Sequence, residues 1–311
     1  MGINSIFKLK IIRILFLFLV GLCTTISIFF DLETWLIVNF EADKIPIFGF
    51  HNIINTQNQK SSYGLDYKKQ DLAEFLEYLV RENYWFLDTD QLYNYFLTNS
   101  QPIPTEKIGQ KAILLTFDDG YKNINTNVLP ILEYLDQKYN QKVKVVLFVN
   151  PETMKNPKKI KKYISCEELK IGINKGYYDV QSHGFSHKRL TELNSPELKI
   201  ELEAAQQVLR ECTKELDNNQ TIATHLAYPY NDSNSQVENY TSKYYVSGYL
   251  YNHQILKLGW GKNNYKLPRI KVDRNTTPSR LIEIAEISSS VKKEERRFLG
   301  WRHFNIFLNY L

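Results

Sequence analysis

Two adjacent carboxylates at the end of an apolar run are the strongest chemical signal in this chain. Residues 113–117 are apolar or β-branched, which predicts a buried strand, and Asp118, Asp119 and Gly120 follow at once. Because successive strand residues face opposite sides of a sheet, both carboxylates reach one cleft only if the strand has already ended. Two like charges this close need a proton or a cation. A divalent metal would supply that cation, although such a segment taken alone is more often a turn or a helix cap.

A pair of histidines supplies candidate partners for that metal. His183 and His187 follow a strand-like run that starts at Tyr178. On a helical turn, a spacing of four residues places both imidazoles on one face. Two histidines and one carboxylate are a common ligand set for a catalytic metal that keeps positions open for water and substrate. Such a pair alone is more often ordinary surface chemistry, but its occurrence together with the paired carboxylates favours a metal centre.

Three segments of the chain resemble the first three motifs of the polysaccharide deacetylases, the family 4 carbohydrate esterases. They are Thr-Phe-Asp-Asp-Gly at 116–120, Ser-His-Gly-Phe-Ser-His at 182–187 and Ala-Tyr-Pro-Tyr at 227–230. The segments stand in the family's order, and the resemblance covers about residues 45–275. It implies an α/β fold of a distorted, incomplete (β/α) barrel and a hydrolase that removes N-acetyl groups from a polysaccharide.

Near the start of the soluble part, residues 45–53 resemble the opening strand of the biofilm-type poly-N-acetylglucosamine deacetylases. In that subgroup the motif order is permuted, and a histidine that other members carry near the C-terminus lies on this first strand. His51 is the matching residue here. Without the resemblance, a satisfied histidine at a strand end would be the preferred interpretation. His303, near the C-terminus, lies in no family motif.

The resemblance also implies a role for each site residue. One divalent metal, Zn²⁺ or alternatively Co²⁺, Ni²⁺, Mn²⁺ or Fe²⁺, would be held by Asp119, His183 and His187. Asp118 would be the general base that accepts a proton from the attacking water. His51 would protonate the departing amine, which is a poor leaving group without that proton.

Two further roles are those of the oxyanion donor and of the residue that orients the catalytic aspartate. The backbone N–H of Tyr230 is expected to stabilise the oxyanion. Many family members carry an arginine before the proline of the third motif, where it orients the catalytic aspartate. Here Ala227 and Tyr228 occupy that neighbourhood. Arg269 could supply the charge from a later strand, or it could be an exposed arginine at a strand end.

The remaining chain alternates strand and helix patterns, which predicts a parallel sheet covered by helices. Predicted strands cover residues 85–87, 113–117, 143–149, 244–249 and 266–272, and predicted helices cover residues 72–79, 194–216 and 279–287 and start near residues 121 and 165. Catalytic residues in such barrels gather at the carboxyl ends of the strands. As this rule requires, strand-like runs precede Asp118 and Asp119, the two histidines and the segment 228–230.

Length and composition predict one enzyme domain with additional terminal segments. The chain has 311 residues, of which 23% are charged and 43% hydrophobic, so most of it is ordinary globular protein. The predicted organisation is a cytoplasmic start, membrane anchor and short stem over residues 1–44. A deacetylase domain follows over residues 45–290, and a basic and aromatic tail covers residues 291–311.

The N-terminal segment predicts a membrane anchor. Residues 14–30 carry no charge, while Lys8, Lys10 and Arg13 precede them. A run of about 20 apolar residues spans a bilayer, and the positive-inside rule then places the bulk of the chain outside the cytoplasm. A cleaved signal peptide is the alternative, and it would leave the domain secreted. The bulky residues 28–30 favour the uncleaved anchor, because cleavage sites need small residues.

Charge and cysteines constrain the partners. The formal net charge is +5, and lysines cluster over residues 155–162, where a solvated loop is preferred over a polyanion site. An outward-facing domain makes nucleic acid an unexpected ligand.

Cys166 and Cys212 would lie where a disulfide can form, whereas Cys23 lies in the apolar segment. Their spacing alone does not establish a bridge.

The sequence thus predicts a metal-dependent N-deacetylase that acts on an extracellular N-acetylated polysaccharide and releases acetate. Poly-N-acetylglucosamine, peptidoglycan and chitin oligomers remain open as substrates. A glycosidase fits less well, since its two carboxyl groups normally stand on separate elements about 5 Å or more apart. A catalytically silent carbohydrate-binding protein on the same fold is the third possibility, although all predicted ligands and the base are present.

Overall fold

The computed structural model describes residues 15–26, 28–29, 43–56, 64–156, 159, 161–259 and 263–292. The chain divides into two compact units, one of residues 1–43 with 257–261 and one of residues 44–256 with 262–311.

In the first unit, residues 15–26 and 28–29 are helical and their side chains are exposed. The predicted anchor over residues 14–30 lies partly outside the described residues. Among the residues that are described, no helix combines the length and the apolar character that crossing a membrane requires.

The second unit alternates strands with helices. The strands of the described chain are β1 (Lys44–Ile45), β2 (Ile47–Phe50), β3 (Ile53–Ile54), β4 (Tyr67–Lys68), β5 (Trp85–Phe86), β6 (Ala112–Phe117), β7 (Val145–Val149), β8 (Tyr178–Ser182), β9 (His225–Ala227), β10 (Ser247–Tyr249), β11 (Leu256–Lys257) and β12 (Ile270–Lys271).

The α-helices of the second unit are α1 (Lys69–Arg81), α2 (Thr89–Gln91), α3 (Leu129–Tyr139), α4 (Glu152–Lys155), α5 (Cys166–Asn174), α6 (Ser195–Thr213), α7 (Ser235–Tyr244) and α8 (Pro278–Glu286). Single turns of π-helix cover Leu92–Leu97 and Ile124–Val128, and 3₁₀ turns cover Thr105–Lys107, Leu190–Glu192 and Pro229–Asn231.

The central sheet is parallel and has the strand order β10-β9-β8-β7-β6-β2-β12, with β5 paired to the first half of β6. The sheet curls until the segment leading into β12 meets β10. Tyr249 forms a parallel bridge with Leu267, and the N–H of Leu250 donates to the Leu267 carbonyl at 2.8 Å. The α/β class and the incomplete barrel are therefore as expected.

Helix packing follows the apolar stripes of the sequence. Helix α1 buries Leu72, Phe75, Leu76 and Leu79, spaced so that they share one face. Helix α5 begins with the expected capping box, in which the Ser165 hydroxyl accepts from the N–H of Glu168. A disulfide joins Cys166, at the start of α5, to Cys212 near the end of α6, with the Cα atoms 5.8 Å apart.

Three element boundaries differ from the sequence-based expectation. Residues 244–249 are not one strand, because α7 extends to Tyr244 and β10 starts only at Ser247. Asn234 caps α7 by accepting from the N–H of Val237 at 2.9 Å, a start signal that the tyrosine-rich pattern obscured. The helix expected near residue 121 starts at Ile124, and the last strand is short. Residues 293–311 of the predicted tail, His303 among them, lie outside the described residues.

Candidate active site

The paired carboxylates lie where the chain leaves β6. The strand ends at Phe117, and the N–H of Asp118 still donates to the Phe50 carbonyl of β2 at 2.9 Å. Asp119 then adopts a left-handed backbone conformation with φ of 68°. This turn lets both side chains enter one site instead of opposite faces of the sheet. The next residue, Gly120, has φ of 66°, a conformation that favours glycine.

Asp118 is held by a buried arginine. Both oxygens of its carboxylate accept from Arg269, from Nη1 at 2.6 Å and from Nη2 at 2.8 Å. Arg269 is fully buried and Asp118 is 2% exposed. Arg269 also donates to the hydroxyl of Thr116 at 2.9 Å and, through Nε, to the carbonyl of Leu250 at 2.8 Å. The guanidinium is thus locked in place and orients the carboxylate from inside the curled sheet.

This pairing keeps Asp118 ionised. Burial by itself would raise the pKa of the Asp118 carboxyl, but the charge of Arg269 outweighs it and holds that pKa below its ordinary value. A general base must be unprotonated at the working pH, so the ion pair suits the role expected for Asp118.

Asp119, His183 and His187 form a compact cluster. The Nε2 atoms of His183 and His187 lie 3.5 and 3.2 Å from Oδ1 of Asp119. One ligand atom from each residue lies within 4.8 Å of the others. The histidines do not share a helical face, as their spacing suggested. They lie in a loop after β8, where His187 has φ of 61°.

The donor set of this cluster fits a divalent metal. Nδ1 of His183 is 2.9 Å from the Ala227 carbonyl, so it carries the proton and Nε2 presents a lone pair to Asp119. Oδ1 of Asp119 is buried and makes no hydrogen bond of normal geometry. Acceptor atoms that face one another in this way require a cation or a proton between them.

The electrostatics of the cluster agree with that requirement. Burial lowers the pKa of His183 to about 4, so its imidazole is neutral and can ligate. Burial would raise the pKa of Asp119, but the neighbouring imidazoles hold it below its ordinary value. The pKa of His187 is raised, because Asp119 outweighs the effect of its burial. In metal-free protein, a proton on His187 can therefore take the place of the cation.

His51 enters the same site from β2. Its Nε2 lies 3.9 Å from Oδ2 of Asp118, and its other ring nitrogen faces the hydroxyl of Tyr251 at 3.5 Å. Burial lowers the pKa of His51 despite the nearby Asp118 and Asp119 carboxylates. The curled sheet therefore brings together His51, Asp118 and the metal cluster.

Tyr230 lies at the rim of the site. It also has a left-handed backbone, with φ of 61°, and the residue is 54% exposed. The ring meets His187 edge-on with centroids 4.6 Å apart, and the guanidinium of Arg189 lies over it at 4.6 Å. Arg189 is itself bound to Asp232 at 2.9 Å. The position of Tyr230 beside a candidate metal ligand is compatible with the expected role of its backbone N–H, which remains a prediction.

The sequence reasoning missed three residues that support this site. Asn150, at the end of β7, donates to the carbonyls of His183 and Gly184. Tyr251 contacts His51, and buried Glu201 binds the histidine loop. Only Glu201 left a readable signal, since it falls on the buried stripe of α6 between Leu198 and Leu202.

Comparison with known proteins agrees with this fold. Residues 105–248 match the family model described as polysaccharide deacetylase. A polysaccharide deacetylase from Bacillus cereus superposes with a TM-score of 0.64 at 20% identity, covering 78% of this chain and 69% of the other. The deacetylase PplD from Streptococcus pyogenes has a TM-score of 0.64 at 19% identity, over 78% of this chain and 98% of the other.

IcaB from Ammonifex degensii has a TM-score of 0.58 at 16% identity, covering 79% of this chain and 97% of the other. No curated protein sequence gives a significant match to the chain. The family match includes both carboxylates and the histidine pair, and the solved structures share the fold. Residues 105–248 therefore carry a polysaccharide deacetylase domain.

Proposed function

We propose that this domain is a metal-dependent N-deacetylase that releases acetate from an extracellular N-acetylated amino-sugar polysaccharide. The observation that carries the proposal is the buried Asp118–Arg269 ion pair directly beside the Asp119, His183 and His187 cluster. It combines an ionised base with a three-ligand metal site in one place. A divalent metal in that cluster, Zn²⁺ being the preferred candidate, supplies Lewis-acid polarisation of the acetyl carbonyl and a more acidic water.

The general base, the general acid and the oxyanion donor are assigned to residues of this site. Asp118 is oriented by Arg269 to accept the proton of the attacking water. His51, whose Nε2 lies 3.9 Å from Oδ2 of Asp118, is the proposed donor of a proton to the leaving nitrogen, so the amide and water become acetate and a free amine. The backbone N–H of Tyr230 is the proposed oxyanion donor. A general acid directly after β2 would correspond to the permuted arrangement of the biofilm-type enzymes. The 3.9 Å separation between Nε2 of His51 and Oδ2 of Asp118 supports placing His51 in the site.

The decisive experiment measures acetate release from poly-N-acetylglucosamine, peptidoglycan and chitin oligomers, with and without a chelator. We expect release from at least one polymer, loss on chelation and recovery when metal is returned. New reducing ends without acetate would indicate a glycosidase. Binding of a polymer without either product would indicate a carbohydrate-binding protein.

We also propose that the N-terminal segment anchors the domain to the membrane with the catalytic part outside the cytoplasm. The basic residues before the apolar run and the exposed apolar side chains of the helical residues support it. The Cys166–Cys212 disulfide supports an oxidising compartment. A tag placed after Leu311 should be removed by protease added to intact cells while the chain stays with the membranes. Protection of the tag refutes the orientation, and a shorter soluble chain shows signal cleavage.

A further inference from the structure

Helix α6 buries a carboxyl group directly beneath the histidine loop. Glu201 is 2% exposed, and a carboxyl group at such a position is costly unless it is hydrogen-bonded or paired. Its Oε2 accepts from the N–H of Ser186 at 2.9 Å, and its Oε1 accepts from the Ser186 hydroxyl. Nζ of Lys188 lies 3.6 Å from Oε1. The two residues that flank His187 therefore both bind Glu201.

The loop needs such support because its backbone is not regular. Gly184 has φ of 74° and His187 has φ of 61°, and the latter is uncommon for a residue with a side chain. Such conformations persist only where surrounding contacts enforce them. The backbone of Glu201 adds one such contact, since its carbonyl accepts from the N–H of Phe185 at 3.0 Å.

The two histidines are held in different ways. Nδ1 of His183 is fixed directly by the Ala227 carbonyl, and Asn150 binds the His183 backbone. Around His187, the Ser186 N–H donates to Glu201 and the Lys188 ammonium lies near the same carboxylate, while the Phe185 carbonyl accepts from the N–H of Glu152 at 3.1 Å. Loss of the Glu201 carboxylate should therefore displace His187 more than His183.

We propose that Glu201 is a positioning residue of the metal site, which acts through Ser186 and Lys188 to hold His187 at ligating distance from Asp119. This inference rests on the proposed metal-binding role of the cluster. Residues that support a ligand from behind typically change metal affinity by about 10–100-fold when they are replaced. Glu201→Gln preserves size but places an amide N–H₂ where the loop offers donors, so we expect a loss of affinity in that range.

The test titrates the metal-free full chain with Co²⁺ alone, against a competing chelator, and records the visible absorption of the bound ion. Glu203→Gln is the matched control, because Glu203 lies on the same helix and its carboxylate pairs only loosely with Lys199, at 3.8 Å. Glu201→Gln should bind more weakly and with an altered spectrum. Glu203→Gln should match wild type in both, and thermal unfolding of the metal-free proteins shows whether either change merely destabilises the fold.

The outcomes distinguish the positioning role of Glu201 from the metal-binding role of the cluster. Wild-type affinity and spectrum in Glu201→Gln, while His187→Ala loses the ion, overturn the positioning role and leave the metal site intact. No binding by the wild-type chain overturns both. A lowered unfolding temperature with unchanged affinity also overturns the positioning role. If Glu201→Gln does not fold, Ser186→Ala decides, since it removes one contact to Glu201 without unpairing the whole carboxyl group, and unchanged affinity there refutes the proposal.

Discussion

Replacing Arg269 by methionine should destabilise the domain strongly, because Asp118 would remain buried without its cation. The two groups are 0% and 3% exposed at the side-chain level and share two short hydrogen bonds. Breaking a buried pair by removing one partner costs about 3–5 kcal/mol. The variant also leaves the Leu250 carbonyl without the bond from Arg269 Nε.

That cost is large against the total stability of a domain, which is typically about 5–15 kcal/mol. For a domain of this size, each kcal/mol moves the unfolding midpoint by about 2–4 °C, so a shift of roughly 6–20 °C is expected. Turnover should also fall, because Arg269 contributes most to keeping the pKa of Asp118 low against the opposing effect of burial. An unpaired buried Asp118 would become protonated and could not accept a proton from water.

Thermal unfolding of the chelator-treated proteins measures the effect. The matched control is Arg280→Met, which removes an exposed pair between Arg280 and Glu283 and should change the midpoint little. The double variant Asp118→Asn with Arg269→Met removes both charges. It should be more stable than Arg269→Met alone, although inactive. Near-wild-type stability of Arg269→Met, or no recovery in the double variant, would refute the argument.

Three further predictions concern the site. The full chain should bind about one divalent ion, and His183→Ala or His187→Ala should lose it; elemental analysis showing equal metal in all three proteins contradicts the ligand assignment. Asp118→Asn should keep the metal and lose turnover, whereas Asp119→Asn should weaken metal binding, and the reverse pattern would exchange the two roles. His51→Ala should lower amide turnover by about 10²–10⁴-fold with unchanged metal content. Activated esters should lose much less, because their leaving group departs without a proton, and equal losses on both substrates would instead indicate a structural role.

The elements with strong local signals were predictable. The stripe of α1, the capping box of α5 and the apolar strand β6 depend on residues close in sequence, and each lies close to its expected position. Residues after parallel strands collect at one edge of a sheet, so the polar ends of β6 and β8 could be placed together without coordinates. The boundaries of α7 and β10 were misjudged because tyrosines suit both environments.

The expected helical turn at the histidine pair is wrong, although the two imidazoles do converge on Asp119. A spacing of four residues suggested a helical turn, but the loop after β8 reaches the same convergence with a left-handed His187. That conformation costs free energy locally, and contacts from other elements stabilise it. Glu201 makes one of these contacts. Its only signal in the sequence is its position on the buried, otherwise apolar stripe of α6.

The sequence alone determined the types of side chain at this site, the order of the strands that carry them and the chemistry they favour. The tertiary structure decided which of them meet. Asp118 and Arg269 are separated by 151 residues, and whether Arg269 was a partner or an exposed arginine depended on how far the sheet curls. Contacts of that separation follow from the packing of the whole sheet, because no local pattern specifies its curvature. The same curl brings His51 to within 3.9 Å of Asp118.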